Sequence, residues 1–159
     1  KLISKVAADS LSFIDYKATN FYASWVCLQS INELSGFTVK TADKDYSFGI
    51  VYDDSEDAEE TYVITYNGKK LVASDFQSFY QECISLACSD YTVDKINAAP
   101  DMTFVFTYSD TSRAATSVEF KKASETKYQY SIDGIDMGKI NSSALNKILK
   151  QVQKLTAEK

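Results

Sequence analysis

Three cysteines, at positions 27, 83 and 88, are the strongest nucleophiles in a chain that contains no histidine. A thiol attacks as its thiolate and needs a base beside it, so the missing imidazole removes the usual partner of a catalytic cysteine. It also removes the commonest metal ligand, and the spacing of the three cysteines matches no zinc site. An odd count reads poorly as a disulfide framework. Cys83 falls on the apolar stripe of an expected helix, the place of a small core residue. Cys88 lies near the end of that helix and could meet Cys27 in space.

Carboxylates offer a second chemistry. Asp53 to Glu60 reads DDSEDAEE, six acids in eight positions. Clustered hard oxygens can hold calcium, but the run lacks the glycine turn and the terminal bidentate glutamate of calcium loops, so a solvated hairpin loop is the expectation. Two positioned acids suffice for glycoside hydrolysis, which keeps a carboxylate-dependent hydrolase as an alternative. A catalytic acid, however, sits among aromatics where burial raises its pKa, whereas these acids cluster in a loop or on helix surfaces. No catalytic, cofactor-binding or metal-ligating residue is therefore assigned, and no cofactor is expected. The net charge of −5, with a pI near 4.8, supplies no basic face, which argues against a nucleic-acid partner.

Tyrosine, with 11 copies, is the third resource. Tyr62, Tyr66, Tyr128 and Tyr130 recur at alternate positions of two expected strands, and on an open sheet face they would form a protein-binding surface. An inhibitor-like module presenting such a face is a further reading. The competing expectation is that the rings pack and only the hydroxyls stay wet. Trp25, the only tryptophan, lies in the apolar stretch from Phe21 to Leu34, a buried strand or short helix, and is expected to anchor the core.

The elements that must position these groups are legible around Asn67 to Leu86. Tyr62, Ile64 and Tyr66 alternate with Val63 and Thr65 and run into Asn67-Gly68, a pair that supplies the positive φ angles of a two-residue hairpin. Ser74 followed by Gln77 reads as a capping box. Phe76, Phe79, Tyr80, Cys83 and Leu86 then follow helical spacing. The same grammar returns in Tyr128, Tyr130 and Ile132, the Asp133-Gly134 turn, a cap at Ser143, and Leu145, Ile148, Leu149, Val152 and Leu155. The two turns lie 66 residues apart (133 − 67). Phe37 to Thr41 and Thr103 to Thr107 read as strands at the same offset (103 − 37).

The expected fold is α+β: two tandem repeats of about three antiparallel strands plus a helix, with the helices packed on one face of an antiparallel sheet. Residues 1–20 are expected to be the end of a preceding repeat or an N-terminal segment. Residues 21–95 form the first βββα repeat and 96–159 the second, joined in one compact domain. The hydrophobic fraction of 45% is that of a globular chain. No apolar run of about 18 residues is present, and the start at Lys1 is expected to leave any anchor or targeting segment upstream.

The strand, hairpin and helix, followed by a linker containing Asp90-Tyr91, the stretch AAPDMTFVFTYSD and a tyrosine-rich strand ending in SIDG, resemble a bacterial family called domain of unknown function 4340. The likeness runs from about Ser10 to Leu155. The Tyr-Gly-Leu then Pro signature between that family's repeats is absent, with Phe21 to Trp25 in its place. The resemblance implies a non-enzymatic, extracytoplasmic binding or assembly module of the cell envelope, held by an upstream membrane anchor. It also implies partners among envelope or ABC-transporter proteins. It carries over no catalytic residue.

Overall fold

A computed structural model describes residues 25–53, 55 and 61–157. The expected segment 1–20, the stretch 21–24 and most of the acidic run lie outside the described residues.

Eight antiparallel strands form one continuous sheet. In chain order these are β1 (Leu34–Thr41), β2 (Asp45–Tyr52), β3 (Tyr62–Tyr66), β4 (Lys69–Leu71), β5 (Met102–Tyr108), β6 (Thr116–Lys122), β7 (Lys127–Ile132) and β8 (Ile135–Asn141). Helix α1 (Ala73–Ile84) follows β4, and α2 (Ser142–Thr156) follows β8. Each helix is thus preceded by four strands, not three, because the return arm of each hairpin is itself paired.

The spatial order is β4-β3-β2-β1-β5-β6-β7-β8, so the first strand of each run of four meets the other at the centre. There Phe37 lies opposite Phe106, Thr38 opposite Val105 and Val39 opposite Phe104. Both hairpin turns have the φ angles their sequences dictate: Asn67 at 51° and Gly68 at 76°, then Asp133 at 48° and Gly134 at 82°.

Period-two alternation sends Phe37, Val39, Tyr46, Phe48, Ile50, Ile64, Phe104, Phe106, Val118 and Phe120 to one face, where both helices cover them. Phe76, Phe79, Tyr80 and Cys83 of α1, and Leu145, Ile148 and Val152 of α2, complete a single core. Aromatic rings dominate its centre. The Phe37 ring lies 5.0 Å from that of Phe106, 5.3 Å from Tyr80 and 5.6 Å from Phe104.

The helix starts depart from the sequence expectation. Val72 occupies the N-cap of α1 and no side chain caps it. The Val72 carbonyl accepts from the N–H groups of Asp75 and Phe76, while Ser74 is already inside the first turn. Strand β4 ends at Leu71 and Phe76 must reach the core, which leaves no room for a cap at Ser74. Likewise α2 begins at Ser142 with Asn141 at the N-cap, not with a cap at Ser143, because β8 stays paired through Asn141, whose side chain accepts from Lys127 Nζ at 2.8 Å and caps nothing.

The segment expected as a bare linker between repeats does more. After α1 the chain runs along the outer edge of β8, where Ser89 N–H donates to the Lys139 carbonyl and Lys139 N–H to that of Asp90. It then crosses the sheet face opposite the helices. Gln129, on that face, is 2% exposed because its side chain is bonded in both directions to the Asp94 backbone, at 2.6 and 3.0 Å. Lys139 Nζ closes the strap through Asp94 at 2.8 Å and Thr92 at 3.1 Å. At Gly138 an added Cβ would stand 2.7 Å from the Asp90 carbonyl and 2.8 Å from Cys88 Sγ, so only glycine lets the strap lie this close.

Candidate functional site

The four tyrosines do not make an exposed surface. Tyr66 and Tyr130 are buried, and Tyr62 and Tyr128 are half-buried against the same core. Strand parity decides this: they share a face with Ile64 and Ile140, the face the helices cover. Trp25 is likewise not a core anchor. It is 48% exposed, while its neighbour Val26 takes the buried position.

All three cysteines are free thiols, and Cys27 and Cys88 are not bridged. Complete burial pushes the Cys83 thiol well above its ordinary pKa, so it is no nucleophile. Burial also raises Cys27, against the hydrogen bond from Gln29, and the nearby Asp133 carboxylate adds to the rise. Native protein at pH 8 should therefore react with an aromatic disulfide reagent at Cys27 and Cys88 only, and at Cys83 only after unfolding. Three thiols titrated rapidly without denaturant would contradict this packing.

Carboxylates with displaced pKa values are surface capping groups. Asp110 is held below the usual range by the hydroxyl and then the N–H of Ser112, and Asp90 by Thr92. Among the described residues the buried polar side chains are Gln129 and Ser131, so no facing pair of buried acids occurs there. No group of metal-ligating side chains occurs among them either.

Two side-chain clusters could be mistaken for catalytic ones. In the first, the Arg113 guanidinium lies 3.5 Å from the centre of the Tyr108 ring and pairs with Glu33 at 2.7 Å. The Tyr108 hydroxyl is shared between Gln29 Oε1 and Thr116 Oγ1, at 2.9 and 2.8 Å. These bonds pin residues 25–33 to the end of the sheet. In the second, Lys127 Nζ donates to Ser89 Oγ at 2.7 Å, the contact of a serine–lysine pair. The Ser89 hydroxyl donates to the Lys139 carbonyl at 3.1 Å, so its proton is not presented to the amine.

An open concavity lies elsewhere, a cavity of about 340 Å³ lined by Lys44, Tyr46, Tyr66, Asn67, Gln153, Thr156 and Ala157. Three separate stretches build it. The β1–β2 turn brings Lys44, the Asn67-Gly68 hairpin brings Tyr66 and Asn67, and the last turn of α2 brings Gln153 and Thr156. Lys44 Nζ stands 5.1 Å from the Tyr46 ring centre and 5.9 Å from that of Tyr66. Tyr66 is 8% exposed, and its hydroxyl is buried without a hydrogen-bond partner among the described residues. Such a wall holds a cation, two aromatic rings and amide and hydroxyl groups, with no carboxylate among the lining residues. These are groups that can bind a ligand.

Of the four tyrosines the sequence offers as a binding surface, Tyr66 lines this cavity, beside Asn67 of the hairpin turn. Lys44, Gln153 and Thr156 carry no motif, and only the fold joins a turn to a helix end more than 100 residues away (153 − 44). Comparison with protein-family models, with curated proteins and with solved structures finds no match to this chain.

Proposed function

We propose that this chain is a non-enzymatic binding or assembly module built from two tandem ββββα repeats, working at the bacterial cell envelope beside an ABC-transporter system. The observation that carries the binding reading is the cavity between α2 and the β1–β2 and β3–β4 turns, whose lining of one cation, two aromatic rings and amide and hydroxyl groups is suited to recognition. The repeat reading is supported by the two hairpins at 66-residue spacing with matching positive φ, and by the meeting of β1 and β5 about the Thr38–Val105 pair. The envelope and transporter parts rest on the family resemblance of the sequence.

The test is in-cell photo-crosslinking of the full-length protein from position 153, in its native host, with products identified by mass spectrometry. Crosslinks to envelope or transporter subunits are the expected result. A cytosolic protein that crosslinks to nothing would overturn the proposal.

A further inference from the structure

The two edges of the sheet are finished differently. β4 closes one edge with three residues, Lys69–Leu71, two of them lysines, and a strand so short and so charged is a poor template for pairing. β8 closes the other edge with seven residues, Ile135–Asn141, and carries two large apolar side chains into solvent. Ile135 is 67% exposed and Met137 44%. Met137 is the extra residue of a bulge, set between the pairs Tyr130–Gly138 and Ser131–Asp136, and a bulge at a sheet edge re-aims the side chain it carries. Among the described residues the outer backbone of β8 is bonded at Lys139 alone, by Ser89 and Asp90.

Trp25 stands at the same corner. It bridges Ala87, whose neighbour Cys88 has its Sγ 2.8 Å from the place that a Cβ on Gly138 would take. Two residues on, Cys27 lies near the Asp133 carboxylate of the β7–β8 turn. Residues 25–27 therefore run beside the β7–β8 hairpin, pinned by the bond from Val26 N–H to the Leu86 carbonyl. Trp25, Ile135 and Met137 are left exposed around that hairpin, and apolar side chains gathered in this way mark a contact surface.

The nearest occupant is the chain itself. Residues 1–24, which lie outside the described structure, join it at this corner through Trp25. Phe21 and Tyr22 precede Trp25 by four and three residues (25 − 21, 25 − 22), so even a fully extended chain carries them no more than about 14 and 11 Å away. A tether this short holds both rings beside the corner at an effective concentration on the order of millimolar, an advantage no free partner has. Aromatic rings also bury the largest apolar areas.

We propose that Phe21 and Tyr22 pack over the corner formed by Trp25, Ile135 and Met137, so that the segment before Trp25 caps the β8 edge of its own sheet. The cap protects an edge that β8 leaves apolar and half unpaired, as its two lysines protect β4. It lies across the sheet from the Lys44 cavity and stands apart from the binding reading.

The probe is benzoylphenylalanine placed at position 21 of the full 159-residue chain, since its photoexcited ketone inserts into neighbouring C–H bonds. At low protein concentration the expected product is a monomer whose crosslink maps to Ile135–Met137. Trp25, the only tryptophan, gives a second readout. At 48% exposure an uncovered ring is quenched by acrylamide at roughly half the rate of a free indole, and the covered ring should be quenched several-fold more slowly than that. Phe21→Ser combined with Tyr22→Ser should restore the faster rate. Met137→Lys, at an exposed position that accepts a charge, should lower the crosslink yield several-fold, which keeps the test decisive where the serine variant does not fold.

A crosslink found only in a product of twice the mass would assign the corner to a second copy. Trp25 quenched at half the free rate in the wild-type chain would leave the corner open to a separate partner. Either result would overturn the proposal, as would a crosslink from position 21 to any other element of the fold.

Discussion

Phe37→Ala is expected to cost about 3–5 kcal/mol, the range for truncating a fully buried phenylalanine. Phe37 is 0% exposed and sits on β1, next to the seam where the two runs of four strands join. Its ring contacts Phe79 and Tyr80 of α1, and Phe104 and Phe106 of β5, at centroid distances from 5.0 to 6.2 Å. Truncation removes four aromatic contacts as well as the buried area, and each such pair is worth about 0.5–1.5 kcal/mol beyond burial. Against a typical total stability of about 5–15 kcal/mol, that loss brings the fold near its limit. Phe37→Leu keeps most of the volume and should cost only about 1–2 kcal/mol. Urea unfolding with an unchanged denaturant slope would measure both. A loss below about 1 kcal/mol for Phe37→Ala would show that the two halves do not share one core.

The second large effect is expected at Gly138. A valine there would drive its Cβ into the Asp90 carbonyl and Cys88 Sγ, at 2.7 and 2.8 Å, and backbone cannot yield as a flexible side chain can. The strap must lift from β8. The backbone bonds from Ser89 and Asp90 to the Lys139 carbonyl, and from Lys139 to that of Asp90, go with it. Overpacking of this kind costs about 1–3 kcal/mol, and the lost hydrogen bonds add roughly 1 kcal/mol each. The expected total is about 4–6 kcal/mol. A lifted strap has a signature of its own: limited proteolysis should cut Gly138→Val between residues 88 and 101 while the wild type resists. Equal resistance in the two proteins would refute the structural role assigned to this glycine.

These positions show how unevenly the fold is written into the residues. Both hairpins were legible, because Asn-Gly and Asp-Gly are among the few pairs that accept positive φ without strain, and all four residues adopt it. The apolar stripes Phe76, Phe79, Tyr80, Cys83 and Leu145, Ile148, Val152 were legible because helical periodicity is a local property of side-chain direction. The caps at Ser74 and Ser143 were misread, since where a helix begins depends on how far the preceding strand stays paired. Gly138 gave no local sign of its role. It looks like an ordinary strand glycine until the strap is laid over it.

Sequence by itself determined the elements: alternating strands, two tight turns, two amphipathic helices and a chain without histidine. Each follows from φ preference or periodicity within a few neighbouring residues. Tertiary structure alone decided that the tyrosines face the helices, that Trp25 stays at the surface while Val26 is buried, and that the linker straps the reverse face. It also decided that Lys44 meets the end of α2. Those outcomes depend on which distant surfaces bury one another. A strand's pattern says that its two faces differ, and only the packing of the whole chain says which face is covered and by what.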